Sequence, residues 1–228
     1  MPAVPVTMGS VMRLLSVNVG MPAKHMIDGK EVTTGIFKWP VPGRNRVGRL
    51  AIAGDGHFNQ PNHGGPDQAL SAYSIDHYQY WAESFGRDDF SYGVFGENLT
   101  VDGMNEAEMC IGDVLEIGST VVQVTHPRIP CFRLSYRLGI PKFHQDQLES
   151  GRIGYLLRVL RDGAIAAGDA VRLVERDNKP ITVAQCIAAT LLDRRLPDVL
   201  DALDRLPYLS ERWRAQVKAR RSRAPVEA

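Results

Sequence analysis

Apolar and polar side chains follow a strand-like order along most of the first two thirds of the chain. Short runs that alternate or are rich in β-branched residues are bounded by glycine, proline or aspartate, and they fall at residues 12–19, 30–38, 46–53, 111–118 and 120–125. A period of two places every second side chain on one face of a strand, and the bounding residues favour turns. A Gly-Asp turn before a strand occurs twice, at residues 111–118 and 167–174, and indicates two equivalent turns of a barrel. We therefore predict a mainly β fold.

Two segments in this region have the period of a helix. Ser74 is a suitable N-cap, and larger side chains recur after it at helical spacing, at His77, Tyr78, Trp81 and Phe85. A second helix is predicted over residues 145–161, with Gly163 as its C-terminal cap. The expected architecture is a mostly antiparallel β-barrel with inserted helices.

The composition changes at residues 176–180, which have the polar character of a linker. Helical signals follow, because Thr182 and Gln185 form a capping box, Pro197 opens a second helix and Ser210 begins a third. Three short helices bury little apolar surface alone, so they are expected to pack on the main domain or on a partner. We predict a β-barrel domain over residues 12–176 and a three-helix unit over residues 180–222.

The net charge and the cysteine content limit which ligands and which cellular compartment we expect for the protein. The net charge is +1, so no global field attracts nucleic acid or an anionic membrane, and a bound anion needs a local cluster of cations. Cys110, Cys131 and Cys186 are an odd number of cysteines without zinc-site spacing, which indicates reduced thiols. We find neither a signal-peptide pattern nor the roughly 18 apolar residues of a membrane span. The expectation is a cytoplasmic protein without membrane or nucleic-acid partners.

Cys131 has the clearest chemical signal of the chain. It ends the run Pro127-Arg128-Ile129-Pro130-Cys131, which follows a β-branched strand, and prolines end strand pairing because they lack an N–H donor. The thiol is therefore expected on a stiff, irregular segment at the rim of the sheet. Arg128 and Arg133 flank it, and nearby positive charge favours the thiolate, which is either a nucleophile or a ligand for a soft metal.

Two glycine-containing segments are weaker candidates for binding. In His63-Gly64-Gly65-Pro66-Asp67 the glycines let backbone N–H groups approach an anion, although a tight turn with a surface histidine explains the same residues. In Gly96-Glu97-Asn98 a polar pair follows a rigid bend, and a purely structural turn is an equal alternative. A cysteine hydrolase that pairs Cys131 with His63 or His126 stays open as well.

Four segments together resemble the MOSC domain family in their order and spacing, and they are residues 63–67, 95–99, 111–113 and 127–131. The resemblance covers roughly residues 12–175, and the C-terminal helices are similar to those of the YiiM-type subgroup, the bacterial hydroxylaminopurine-resistance proteins. It implies a mainly β fold, namely a MOSC-like β-barrel with inserted helices plus a small C-terminal three-helix unit.

The resemblance also implies a cofactor and an activity. Proteins of this family bind molybdopterin-coordinated molybdenum, the molybdenum cofactor (Moco), and the cysteine matching Cys131 is the proposed metal ligand and catalytic centre. Enzymes similar to this chain reduce N-hydroxylated compounds, including hydroxylaminopurine-type base analogues, to amines, with electrons from a separate flavoprotein. The cofactor-binding residues that the resemblance implies are His63, Gly64, Gly65, Asp67, Glu97, Asn98, Arg128, Arg133 and, more weakly, Lys24.

Two other interpretations follow from the sequence. Kinship with molybdenum cofactor sulfurases suggests a non-redox carrier of sulfur or cofactor, which would bind the cofactor without reducing hydroxylamines. A cysteine hydrolase would be active without metal and would be inactivated by alkylation of its thiol. The sequence does not fix the oligomeric state, and a homodimer is compatible with it.

Overall fold

A mixed sheet of eight strands organises the part of the chain that this computed structural model describes, residues 12–58, 64–192, 194 and 196–222. The strands are β1 (Arg13–Val19), β2 (Ala23–Ile27), β3 (Lys30–Thr34), β4 (Trp39–Pro40), β5 (Asn45–Val47), β6 (Leu70–Ser74), β7 (Leu99–Asp102), β8 (Val114–Ile117), β9 (Thr120–Pro127), β10 (Tyr155–Arg161), β11 (Gly163–Ile165) and β12 (Val171–Glu175). The helices are α1 (Ile75–Phe85), α2 (Phe132–Leu138), α3 (Phe143–Ser150), α4 (Val183–Thr190), α5 (Pro197–Arg205) and α6 (Glu211–Arg221). The predicted mainly β class is confirmed.

The strand order of the large sheet is β12-β8-β9-β10-β6-β7-β1-β4, so the named strands are not closed into the barrel that the sequence predicts. All neighbours are antiparallel except β6 and β7. β1 approaches the start of β12 through a bridge between Arg13 and Ala170 and through backbone hydrogen bonds, among them that from the Val171 N–H to the Met12 carbonyl. At the other edge β4 has two residues, and one of them is Pro40, which cannot donate to a further strand. Strand pairing ends at β4 because Pro40 has no N–H to donate to a further strand.

The predicted helix over residues 145–161 is wrong in its second half. The structure ends α3 at Ser150, because Gly151 adopts a left-handed conformation with φ of 73°. β10 then begins at Tyr155, and its buried residues Tyr155, Leu157 and Val159 alternate with more exposed ones. Pairing with β9 and β6 on its two sides makes this segment a central strand. Gly163 accordingly lies in β11 and does not cap a helix.

The predicted helix starts are confirmed where a side chain caps the helix locally. The Ser74 hydroxyl accepts a hydrogen bond from the Asp76 N–H at the start of α1. Thr182 and Gln185 form the predicted capping box of α4, and the Ser210 hydroxyl accepts from the Trp213 N–H at the start of α6. These bonds satisfy backbone donors that an isolated helix end leaves free.

The three C-terminal helices pack on the sheet and share its core. One continuous cluster of buried residues contains Leu115 and Val124 of the sheet together with Ile187, Leu203 and Trp213 of the helices. The exact boundary between residues 12–176 and 180–222 stays a prediction, because the apolar core runs across it. None of the helices in the described ranges has the length and apolar character of a membrane span.

We expect Gly112→Ala to destabilise the protein much more than Gly43→Ala. Both glycines have positive φ, 93° and 73°, so both substitutions carry the same backbone cost of roughly 1 kcal/mol. A Cβ on Gly112 would lie 2.1 Å from Cε2 of Tyr208, whereas a Cβ on Gly43 meets nothing within 4 Å. Overpacking adds about 1–3 kcal/mol, so urea unfolding should show that excess for Gly112→Ala alone. Equal losses would mean that Tyr208 does not rest on this turn.

Candidate functional site

A cavity of about 470 Å³ lies over the sheet, and Cys131 is one of the residues that line it. The floor of the cavity is formed by neighbouring residues of four adjacent strands, β9, β10, β6 and β7. His126 of β9 is opposite Leu156 of β10, and Leu156 is opposite Ser71 of β6. Ser71 donates its N–H and its hydroxyl to the Asn98 Oδ1, both over 3.1 Å, at the start of β7. With strands about 4.8 Å apart, this floor is roughly 15 Å wide.

Cys131 lies in the wall of this cavity, immediately before α2. β9 ends at Pro127, as the two prolines predict, and the thiol is half-buried on the irregular segment that follows. The Arg133 Nη1 donates a hydrogen bond to the Cys131 Sγ over 3.6 Å. The Nε of Arg133 is buried and has no hydrogen-bond partner in the part of the chain that the structure describes. The wall therefore combines a thiol with a guanidinium that has unused donor capacity.

Arg128 lines the cavity and Arg137 contacts its wall, and among the described residues both bond to backbone carbonyls and neither forms an ion pair with a carboxylate. Arg128 donates to the Phe95 carbonyl over 2.7 Å, and Arg137 donates to the carbonyls of Ile36 and Lys38. Burial lowers the pKa of Arg128, and burial lowers that of Arg137 to about 10. Within the described ranges, ion pairs with carboxylates form at Arg44, Arg87, Arg158, Arg161, Arg172, Arg176 and Arg221. The cavity is thus a local excess of positive charge in a nearly neutral chain.

A buried ion pair, which the sequence analysis missed, supports the same region. Lys38 lines the cavity, and its ammonium donates to the Asp55 Oδ1, while Asp55 Oδ2 accepts from the Asn98 Nδ2 over 2.9 Å. Burial lowers the pKa of Lys38, and the attraction of Asp55 opposes that shift. Asp55 is flanked by Gly54 and Gly56, which indicates only a turn, and Lys38 has no local sequence signal. Their pairing depends on a contact 17 residues apart.

The structure brings part of the predicted site together. Residues that line the cavity are Gly64, Asn98, Arg128, Cys131 and Arg133. Glu97 is fully buried beneath it, where Oε1 accepts from the Gly93 N–H over 2.9 Å and from the Thr100 hydroxyl over 2.7 Å. Glu97 therefore holds the bend before β7, and no wall of the cavity is formed by its side chain.

Other predicted binding residues lie away from the cavity. Gly65, with φ of 89°, precedes the short 3-10 helix Pro66–Gln68. Asp67 of that helix pairs with Arg158 over 2.9 Å. Lys24 pairs with Glu31 over 2.9 Å on the exposed β2-β3 hairpin. His63 lies outside the described residues. The roles of all these residues as cofactor ligands stay predictions.

Among the described residues, no histidine is hydrogen-bonded to the Cys131 sulfur. His144 lines the cavity, but its Nδ1 lies 2.9 Å from the Ser135 hydroxyl. His126 is stacked on Trp213 with ring centroids 4.9 Å apart. Burial, followed by the charges of Arg212 and Arg158, lowers the pKa of His126 to about 3. The described residues thus give the cysteine hydrolase no thiol–imidazole pair.

Stability should depend on pH through His126. Its pKa in the folded protein, about 3, is below the ordinary value of 6.5, so the unfolded chain takes up the proton first as the pH falls. The contribution of His126 to stability is fully present above about pH 6.5. As the pH falls toward 3, this contribution is lost at roughly 1.4 kcal/mol per pH unit. From pH 7 to pH 5, urea unfolding should show about 2 kcal/mol more loss in the wild type than in His126→Phe. Parallel pH profiles of the two proteins would contradict this assignment.

The described residues of the cavity do not form a complete metal site. Within the described ranges, no group of three or more His, Cys, Asp or Glu side chains could hold a metal ion. Cys131 is a single soft ligand beside several cations.

Comparisons with known proteins show what the chain is similar to. The family model described as "MOSC domain" matches residues 59–172. "Uncharacterized protein YflK" of Bacillus subtilis (strain 168) is 36% identical over 215 residues, which are 94% of this chain and 97% of that protein. "Protein YiiM" of Escherichia coli (strain K12) is 33% identical over 199 residues, 85% of this chain and 87% of that protein. A "Reductase" of Gibberella moniliformis (strain M3125 / FGSC 7600) is 36% identical over 166 residues, 72% of this chain but only 29% of that protein.

Solved structures show the same likeness along nearly the whole chain. YiiM from Geobacillus stearothermophilus superposes with a TM-score of 0.77 at 32% identity, and the match covers 92% of this chain and 100% of that one. YiiM from Escherichia coli superposes with a TM-score of 0.71 at 27% identity, with 92% of each chain covered. The shared structure therefore extends well beyond residues 59–172.

Proposed function

Because this chain belongs to the MOSC domain family, we propose that it binds the molybdenum cofactor and uses it to reduce N-hydroxylated compounds to amines. The observation that carries the proposal is the composition of the cavity wall. The Cys131 thiol lies there beside Arg128 and Arg133, two guanidinium groups that have no carboxylate partner among the described residues. A wall of this kind suits a ligand that is both thiophilic and anionic.

The residues present fit this cofactor. Its pterin dithiolene supplies two sulfur ligands to molybdenum, so the protein needs to add only one, and the cavity offers one thiol. Its phosphate is a doubly charged acceptor, and arginine binds phosphate through its fork of N–H donors. The buried Arg133 Nε, which has no partner among the described residues, is one donor left over for such a ligand. A volume of about 470 Å³ is in the ordinary range for a cofactor site.

Roles follow for the side chains of this chain. Cys131 would hold the metal, and Arg128 and Arg133, assisted by Lys38, would bind the phosphate. The Gly64 backbone can approach the ligand closely because it has no Cβ. When bound, molybdenum would supply two-electron chemistry at oxygen. The overall reaction converts R–NHOH, two electrons and two protons to R–NH₂ and water, so the protein must also admit protons and an electron donor.

A separate flavoprotein is proposed as the electron donor. The chain shows no flavin, haem or iron–sulfur motif of its own. In support, a related segment accounts for 29% of a longer fungal protein that is described as a reductase. A cytoplasmic setting is proposed on the same grounds as before, namely three free cysteines without disulfides.

The test is to purify the protein from a host that synthesises the cofactor and to measure molybdenum, pterin and turnover together. Turnover is followed with 6-N-hydroxylaminopurine as substrate and reduced methyl viologen as chemical electron donor. Near-stoichiometric molybdenum with reduction of the N–O bond supports the reductase. Bound molybdenum without any turnover would favour the non-redox carrier. No molybdenum, under conditions that load a related protein, would reject the proposal.

A further inference from the structure

The C-terminal helices contribute a wall to the cavity. Arg212 and Trp213 of α6 line it, although they lie more than 80 residues after Cys131 in the chain. Trp213 is anchored from behind, since its Nε1 donates to the Cys186 Sγ over 3.1 Å. The indole face packs on His126, with an angle of 27° between the rings. This end of the cavity is therefore a fixed aromatic wall.

His126 has an unsatisfied polar atom in this wall. His126 is 1% exposed and lines the cavity, and its Nδ1 has no hydrogen-bond partner among the described residues. A buried polar atom without a partner costs about 1–3 kcal/mol, and a ligand that bonds to it recovers that cost. Burial keeps the pKa of His126 near 3, so the ring is neutral and suits an uncharged hydrogen-bonding group. The Nδ1 of the neutral His126 therefore does not favour an anionic ligand.

The two ends of the cavity floor differ in chemistry. The end at β7 holds the charged pair of Lys38 and Asp55, with Arg128 close to it. The end at β9 holds the His126–Trp213 stack and the apolar Leu156. A phosphate is drawn to the first end, so a cofactor bound there leaves the second end for the substrate.

We propose that His126 and Trp213 form the subsite for the ring of a heteroaromatic N-hydroxylated substrate, with His126 Nδ1 hydrogen-bonded to a ring or exocyclic nitrogen. This inference rests on the proposed function. It makes α6 a determinant of specificity, because simple hydroxylamines do not reach its wall. His126 is assigned to binding, and the chemical step does not need it.

The experiment compares two substrates in the cofactor-loaded enzyme, 6-N-hydroxylaminopurine and N-methylhydroxylamine. His126→Phe keeps an aromatic ring on Trp213 but removes both nitrogens. We expect the KM for the purine to rise about tenfold with kcat unchanged, and both constants for N-methylhydroxylamine to stay the same. His126→Asn restores a polar atom at the Nδ1 position and should recover part of the loss. A purely structural effect would change both substrates.

His77→Phe is the matched control. His77 is also buried, and its Nδ1 also lacks a partner among the described residues, but its Nε2 bonds to Glu106 over 2.6 Å and it lies outside this cavity. Its variant should leave the ratio of the two KM values unchanged. An equal KM ratio in His126→Phe and the wild type would overturn the inference.

A binding measurement separates this inference from the proposed function. Calorimetric titration with adenine, the reduced product, requires no turnover. Binding that weakens about tenfold in His126→Phe supports the subsite even where no N–O reduction is seen. Absence of adenine binding to the wild-type protein would overturn the subsite even if the reductase activity is present.

Discussion

Cys131→Ala should lose molybdenum almost completely when it is produced in a cofactor-competent host. Changes to groups that only orient a metal ligand already cost about 10–100-fold in metal affinity, so loss of the ligand itself should cost at least that. No second thiol can replace it, because Cys110 and Cys186 are buried elsewhere. Metal analysis of wild type and variant, normalised to protein concentration, measures the effect, and purine reduction should fall with it.

Cys110→Ala and Cys186→Ala are the matched controls for this prediction. Burial raises the pKa of Cys110 to about 11 and that of Cys186 to about 12, so both thiols are protonated at neutral pH. Both variants should keep their molybdenum, although Cys186→Ala removes the partner of the Trp213 indole. Molybdenum that persists in Cys131→Ala at the level of these controls would remove Cys131 as the ligand.

The local parts of this fold were accessible from the sequence because their causes are local. Ser74, Thr182 and Ser210 each bond to a backbone N–H two or three residues ahead, so their helix starts were predicted correctly. The end of β9 at Pro127 follows in the same way from the missing proline donor. Segment 155–161 was assigned to a helix because short apolar runs fit both periods, and its strand state depends on β6 and β9.

The residues of the candidate site also differ in whether their signal is local in the sequence. Cys131 was accessible because its motif lies within five consecutive residues. Lys38 and Asp55 were missed because their bond joins two loops, and the His126–Trp213 stack joins residues 87 positions apart. The family resemblance implied Glu97 as a cofactor-binding residue, but only the fold shows that its carboxylate is directed into the bend at Gly93. Such contacts are set by tertiary packing, which no local pattern encodes.

Asp55→Ala should be among the most destabilising substitutions in the cavity region. The Asp55 side chain is fully buried, and it accepts from the Lys38 ammonium, the Gly20 N–H and the Asn98 amide. Its removal leaves a buried ammonium without a counter-ion, which costs about 3–5 kcal/mol. Urea unfolding at neutral pH measures this loss. Lys38→Met/Asp55→Ala should recover part of it, since the double variant has no buried charge left at this pair.

Arg44→Ala supplies the comparison with an exposed ion pair. Arg44 pairs with Asp169 over 3.0 Å, but 55% of its side chain is exposed, so its loss should cost less than about 1 kcal/mol. The contrast between the two sites tests whether burial, and not the mere presence of a pair, makes Asp55 important. If Asp55→Ala costs no more than Arg44→Ala, or if the double variant is no more stable than Asp55→Ala, then Lys38 is not held as a buried charge. The cation at that end of the cavity would then be free to move, and the phosphate would depend on Arg128 and Arg133 alone.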